Sequence, residues 1–269
     1  MDSGEPFEAP RSHRASTGTA RLPVLLVLHQ EHSSCGHVGR LLHARGHPLD
    51  VRRPRFGDPL PRTLAHHAGS IVFGGPMSAN DSDEYLRQEF DLVELALREQ
   101  SPYLGICLGA QMMAMCLGAR VAPHASGHVE IGYHAVTPLP AATMGGAWPT
   151  RFYQWHRDGF DMPSGARGLV SAPGPVPNQA FSYGEAAIGL QFHPEITYAM
   201  AARWSGRNEH RFPDLTGASP REAQLADHVA HAPIVLSWLA RFLDEWLTPG
   251  CADKMSHDKV VCNLATVTA

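Results

Sequence analysis

The chain has 269 residues, and at roughly 150 residues per domain that length accommodates one large domain or two small ones. Residues of the AVILMFWYC set make up 43% of it, with 25 glycines besides, an ordinary globular share that excludes fibrous or low-complexity architectures and disorder over most of the chain. The 22 basic and 26 acidic side chains leave a formal charge of only −4, so no global field draws the protein to nucleic acid or to an anionic membrane, and neither is an expected partner.

The opening stretch MDSGEPFEAPRSHRAST carries acidic residues and prolines where a secretory signal needs an apolar segment, and the apolar runs Val24–Leu28 and Met112–Leu117 are too short to span a bilayer. A cytoplasmic location is expected. Five cysteines, at 35, 107, 116, 251 and 262, form no CxxC pair and are odd in number, which argues against a disulfide-stapled secreted fold. Residues 1–20 are polar and lack hydrophobic periodicity, and residues 249–269 follow the breaker Pro249-Gly250 and hold both lysines of the chain, Lys254 and Lys259. Both segments are expected to be tails, the first disordered, flanking a domain over residues 21–248.

Within that domain short β-rich runs alternate with helical ones. Val24–Leu28 reads as a strand, Cys35–Arg45 as a helix stopped at Gly46, and Pro48–Val51 and Ser70–Phe73 as further strands. Asp83–Arg98 reads as a helix with an apolar stripe of Leu86, Phe90, Val93 and Leu97, and Asp81 with Glu84 suggests a capping box. A buried strand at Pro102–Ile106 runs directly into a helix at Cys107–Leu117 that stops at Gly118. Short strands follow at Ile131–Val136, Arg151–Trp155, Gly168–Ser171, Ala180–Tyr183 and Ala187–Phe192. Ser219 and Pro220 open a helix as N-cap and first residue, and Pro233–Trp246 supplies another. The βαβ rhythm predicts an α/β domain with a central, mainly parallel sheet, helices on both faces and the site at the carboxyl edge of the strands.

Three segments at that edge carry chemistry. Gly105-Ile106-Cys107-Leu108-Gly109 is the cysteine analogue of the nucleophile elbow: small neighbours let the backbone double back, and the following helix N-terminus favours thiolate over thiol. A nucleophile needs a base and a group to orient that base. Gln191-Phe192-His193-Pro194-Glu195 supplies both, since His193 and Glu195 are an i, i+2 pair stiffened by Pro194 at the end of a strand. Phe73-Gly74-Gly75-Pro76 follows another strand, and its glycines let a main-chain N–H approach a ligand. The N–H groups of Gly75 and Leu108 are the candidate oxyanion donors.

In this order the motifs Phe73-Gly74-Gly75-Pro76, Gly105-Ile106-Cys107-Leu108-Gly109-Ala110-Gln111 and His193-Pro194-Glu195 resemble the class I, triad-type glutamine amidotransferases over about residues 22–200. Glu130-Ile131-Gly132 and Gln154-Trp155-His156 are similar to segments of the GMP synthase-like members. The resemblance implies a flavodoxin-like three-layer sandwich, with Cys107 as nucleophile, His193 as general acid and base, Glu195 as orienter, and Gly75 with Leu108 as oxyanion donors. It also implies that Gln111 lines a glutamine pocket, that the segment Gln154, Trp155 and His156 contacts the substrate's α-amino and carboxylate groups, in part through backbone, and that no metal or cofactor takes part. Two departures stand out. Val129 occupies the position before Glu130 where relatives commonly place a lysine, and no SGGxDS pyrophosphatase signature is present, so a separate synthetase subunit is the expected ammonia acceptor. A free-standing γ-glutamyl amine or peptide hydrolase is the alternative; a catalytically silent module is disfavoured by the intact triad.

Other residues carry weaker signals. His66-His67 and the pair His124 and His128 lack a cysteine or carboxylate at ligand spacing and are expected to be solvated. Arg52-Arg53-Pro54-Arg55 is too short and too poor in aromatics for a nucleic-acid site and is expected to be a solvated loop. Cys116 is expected to fill core, and Trp238, Phe242 and Trp246 to form the packed stripe of a helix.

Overall fold

The computed structural model describes residues 21–248, and the two expected tails lie outside the described residues. Val24–Val27 forms β1, four apolar residues buried on both faces as befits an interior parallel strand. It is followed by α1 (Gly36–Ala44), β2 (Leu49–Arg52), β3 (Gly69–Val72), α2 (Glu84–Arg98), β4 (Tyr103–Ile106) and α3 (Leu108–Cys116). After β5 (Val121–Pro123) come β6 (Glu130–Ala135), β7 (Thr137–Pro138), β8 (Arg151–His156), β9 (Asp158–Phe160), β10 (Arg167–Ser171), β11 (Asn178–Tyr183) and β12 (Ala187–Leu190). Helices α4 (Tyr198–Asn208) and α5 (Arg221–Trp246) complete the described residues.

Eight strands make one sheet in the order β2-β1-β3-β4-β12-β11-β10-β7. The first five are mutually parallel and the last three antiparallel. Alternate residues of each strand feed opposite cores. Leu26, Ile71 and Leu104 face α1 and α5, through Val38, Leu42, Trp238 and Phe242. Leu25, Val27 and Val72 face α2 and α3, through Leu86, Val93, Met112 and Met113. The result is the expected three-layer α/β sandwich. Two small antiparallel ladders, β5-β9 and β6-β8, stand apart from the main sheet, and β6-β8 lies beside α5 and over the carboxyl edge of β4 and β12. No helix among the described residues is long and apolar enough to cross a membrane.

Several local expectations are corrected. Asp81 does not cap α2: its carboxylate accepts from the Ser78 N–H and closes the turn before the helix, while Asp83 occupies the N-cap without a side-chain bond. The buried face of α2 comprises Leu86, Glu89, Leu92, Val93, Leu95 and Ala96, with Phe90 and Leu97 only half-buried; the apolar stripe read from sequence passed over Glu89 because a carboxylate is not an expected core residue. Ser219 makes no side-chain cap, and α5 starts at Arg221. The two helices expected after residue 219 are one helix of 26 residues with Pro233 inside it. Arg52-Arg53-Pro54-Arg55 is not a solvated loop either: Arg52 ends β2 against Asp50, and Pro54 is buried at the start of a 3-10 turn. His67, half-buried, also bonds Asp50, at 3.0 Å.

Candidate active site

The site is built where β4 turns into α3. Cys107 links them with φ 51° and ψ −100°, a conformation costly for a residue with a Cβ. The flanking glycines make the turn sterically possible. A Cβ on Gly105 would lie 2.4 Å from the backbone carbon of Gly109, and one on Gly109 would lie 2.2 Å from the Val72 carbonyl oxygen. The Cys107 N–H donates to the Leu190 carbonyl at 2.7 Å, and its own carbonyl accepts from the Gln111 N–H at 3.0 Å. The sulfur therefore sits at the carboxyl edge, between β4 and β12 and ahead of the α3 N-terminus.

His193 follows β12 by three residues. Its N–H donates to the Tyr153 carbonyl on β8 at 2.8 Å, and the Glu195 carbonyl accepts from the His37 N–H on α1 at 2.8 Å. With the main chain pinned on both sides, His193 Nδ1 lies 2.8 Å from Glu195 Oε1, both side chains being buried. This contact fixes the imidazole by its Nδ1 edge and leaves Nε2 without a hydrogen bond among the described residues. Burial by itself would lower the affinity of this imidazole for its proton. The Glu195 carboxylate and the Cys107 sulfur outweigh burial and push the His193 pKa up to about 10. Gly74 has to be glycine here, since a Cβ would come within 2.7 Å of His193 Cε1 and 3.3 Å of Cys107 Cβ.

Cys107, Leu108, Gly75, Gln111, Trp155 and His156 line one cavity of 420 Å³, together with His193. Glu195 stands behind His193, out of the cavity. No acceptor for the N–H of Gly75 or of Leu108 is found among the described residues. Gln111 is held by its Nε2, which donates to the Asp158 carbonyl at 2.9 Å. His156 pairs with Glu130 at 2.9 Å, and although burial raises the Glu130 carboxyl, its bonds to His156 and Gln179 hold it below the ordinary range. Gln154 is not brought to the cavity: its side chain is fully buried on the other side of β8, donating to Gln179 Oε1 at 2.6 Å. Strand alternation puts Gln154 opposite Trp155.

The structure adds residues to which sequence reasoning assigned no role. Gln191, two residues before His193, donates to Cys107 Sγ at 3.7 Å; its position in the quoted motif was the available signal. Trp204 of α4 stands edge-on to the His193 ring at 5.2 Å between centroids. Arg207 and Arg211 reach the cavity mouth, from a segment far along the chain with no motif of its own. Val129 is buried and lines the cavity with Ile131 and Phe212.

Comparison with known proteins points the same way. The family described as glutamine amidotransferase class-I matches residues 37–202, a stretch that contains Cys107, His193 and Glu195. The glutamine amidotransferase-like protein YfeJ of Salmonella typhimurium is 30% identical over 206 residues, covering 72% of this chain and 84% of that protein. The glutamine-hydrolysing GMP synthase of Thermomicrobium roseum is 36% identical over 134 residues, which cover 48% of this chain and only 24% of the synthase. A crystal structure of a glutamine amidotransferase from Methylobacillus flagellatus superimposes with a TM-score of 0.78 at 26% identity, over 84% of this chain and 94% of that one. One from Thermotoga maritima superimposes with a TM-score of 0.76 at 28% identity, over 84% and 98%. The fold and most of the chain are thus shared with proteins described as glutamine amidotransferases, and the chain belongs to the class-I glutamine amidotransferase family.

Proposed function

We propose that the protein hydrolyses the side-chain amide of glutamine through a Cys107-His193-Glu195 triad and passes the ammonia to a separate acceptor enzyme. The observation that carries this reading is the strained elbow of Cys107 facing the same cavity as a His193 whose other ring nitrogen is held by Glu195 at 2.8 Å. The Cys107 thiolate attacks the amide carbon and forms a C–S bond, with negative charge moving to the amide oxygen between the Gly75 and Leu108 N–H groups. His193 then gives its proton to the nitrogen as the C–N bond breaks, releasing ammonia and leaving a γ-glutamyl thioester. Neutral His193 next takes a proton from water, whose oxygen attacks the thioester, and glutamate leaves as the thiolate is restored. The Gln191 amide, aimed at Sγ, can donate to the sulfur during the reaction. Transfer to an acceptor enzyme is supported by likeness to the glutamine-hydrolysing GMP synthase.

One observation favours the alternative, a free-standing γ-glutamyl hydrolase. The cavity continues past the sulfur to Trp204, Phe212, Arg207 and Arg211. Arg207 and Arg211 are exposed and carry no ion pair among the described residues. Such a wall can hold a leaving group larger than ammonia. Glutamate release by the purified protein, from glutamine and from γ-glutamyl amines and peptides, tests both. Turnover is expected to disappear in Cys107→Ala. Fastest turnover on glutamine supports ammonia supply; fastest turnover on a peptide or amine supports the free-standing hydrolase. Turnover that survives Cys107→Ala overturns the triad.

A further inference from the structure

Beneath the Gly74-Gly75 turn lies a buried pair with no part in the triad. His29, two residues beyond β1, and Glu89, on the buried face of α2, are both inaccessible to solvent. His29 Nε2 is 2.7 Å from Glu89 Oε2, and Nδ1 is 3.2 Å from the Gly74 carbonyl oxygen. Two buried ionisable groups in an apolar layer are costly to keep and are often surpassed in stability by apolar side chains of similar size. Their contacts give them a task at the neighbouring site.

We infer that His29, held by Glu89, is a positioning residue that orients the Gly74-Gly75 peptide so that the Gly75 N–H faces the acyl oxygen during attack by Cys107. A carbonyl can only accept, so Nδ1 carries a proton and donates it to Gly74 O. Glu89 settles the other edge: whether the proton between Nε2 and Oε2 rests on nitrogen or oxygen, the two share it, and Nδ1 keeps its own. A peptide unit is planar and trans, with C=O and N–H on opposite sides. Drawing the Gly74 carbonyl down to His29 therefore turns the Gly75 N–H up, away from the ring. Gly75 lines the catalytic cavity, and its N–H finds no acceptor among the described residues. The ring also supports the turn from below, since a Cβ built on Gly75 would lie 3.0 Å from His29 Cγ. Glycines on both sides of this peptide leave it free to rotate, so the orientation has to be imposed by a partner.

The inference rests on the hydrolase reading, and its test separates the two. Acylation, read as p-nitroaniline release from γ-glutamyl-p-nitroanilide or as glutamate release from glutamine, builds charge on the acyl oxygen. Alkylation of Cys107 by iodoacetamide displaces iodide at carbon and needs no oxyanion donor. In His29→Leu/Glu89→Met both polar groups are replaced by apolar ones of similar size, so the thermal midpoint is expected to hold or rise. The kcat is expected to fall about 100-fold, as for loss of an oxyanion donor, with KM and the alkylation rate within about twofold of wild type. An asparagine amide can stand in for imidazole Nδ1 and a glutamine amide for Nε2, so His29→Asn is expected to keep at least tenfold more activity than His29→Gln. This second comparison applies even if the double variant does not fold. Wild-type kcat in the double variant, a parallel loss of alkylation, or equal activities of the Asn and Gln variants would overturn the positioning role alone. Wild-type protein with no Cys107-dependent acylation of any γ-glutamyl substrate would overturn the hydrolase reading and this inference with it.

Discussion

Cys107 and Gln100 are the two non-glycine residues with positive φ among those described, and only Cys107 stands at the end of an interior strand. Such a conformation costs about 1–3 kcal/mol and persists where the surroundings over-determine it. Here Gly105, Gly109 and the Leu190 carbonyl do so. The coupling of Cys107 to His193 has a consequence for pH. Because Glu195 and Cys107 raise the His193 pKa to about 10, the imidazolium persists through neutrality, where the proposed mechanism calls on it as the acid. The kcat/KM profile is expected to fall on the alkaline side as the Cys107-His193 pair loses that proton. Glu195→Gln removes one of the charges that raise His193, so the alkaline limb is expected to move to lower pH, together with a loss of kcat. An unmoved limb would show that Glu195 does not set the His193 proton affinity. The same proton bears on stability: bound more tightly when folded, it contributes in full below about 6.5, and the contribution is lost as pH rises through about 10.

At the scale of elements, the strand and helix assignments that position Cys107 were legible because each obeys a simple period or a turn requirement. The continuous apolar runs at Val24–Val27 and Tyr103–Ile106 and the glycines beside Cys107 are of this kind. Helix α5 was not legible as one element, because Pro233 lacks an N–H and ordinarily ends a helix. Its two halves continue because both have surfaces to cover. Gln224 and His228 bond to Tyr153 and Tyr133 of the β6-β8 ladder, while Trp238, Leu239 and Phe242 enter the core of the main sheet. Pro233 itself is exposed, and so is Val229, whose carbonyl it cannot satisfy. Restoring the bond with Pro233→Ala is expected to stabilise the protein by about 1–3 kcal/mol, read from urea unfolding midpoints. No gain would mean that the helix relaxes around the proline without cost.

At the scale of the whole molecule, the main sheet joins the parallel half to the antiparallel half through β12, which pairs with β4 on one side and β11 on the other. The layer between this sheet, α1 and α5 draws residues from Val24 to Trp246. Unfolding over residues 21–248 is therefore expected to be a single transition in which tryptophan fluorescence and far-UV circular dichroism coincide. Two separated transitions would mean that the halves are independent domains.

Local chemistry is what the sequence determined by itself. Gly105-Ile106-Cys107-Leu108-Gly109 and His193-Pro194-Glu195 point to a candidate nucleophile and base because turn geometry and an i, i+2 pair act over a few residues, and with Phe73-Gly74-Gly75-Pro76 they identified the family and its α/β sandwich. Contacts between distant segments were decided by the tertiary structure. Gln154 faces away from the cavity by strand alternation and Gln191 faces the sulfur, while Arg207 and Arg211 reach the mouth from 14 to 18 residues beyond His193. His29 and Glu89, 60 residues apart, meet only when β1 and α2 pack. Burial alone made that pair visible, because a histidine and a glutamate look like surface residues until the fold removes water from them.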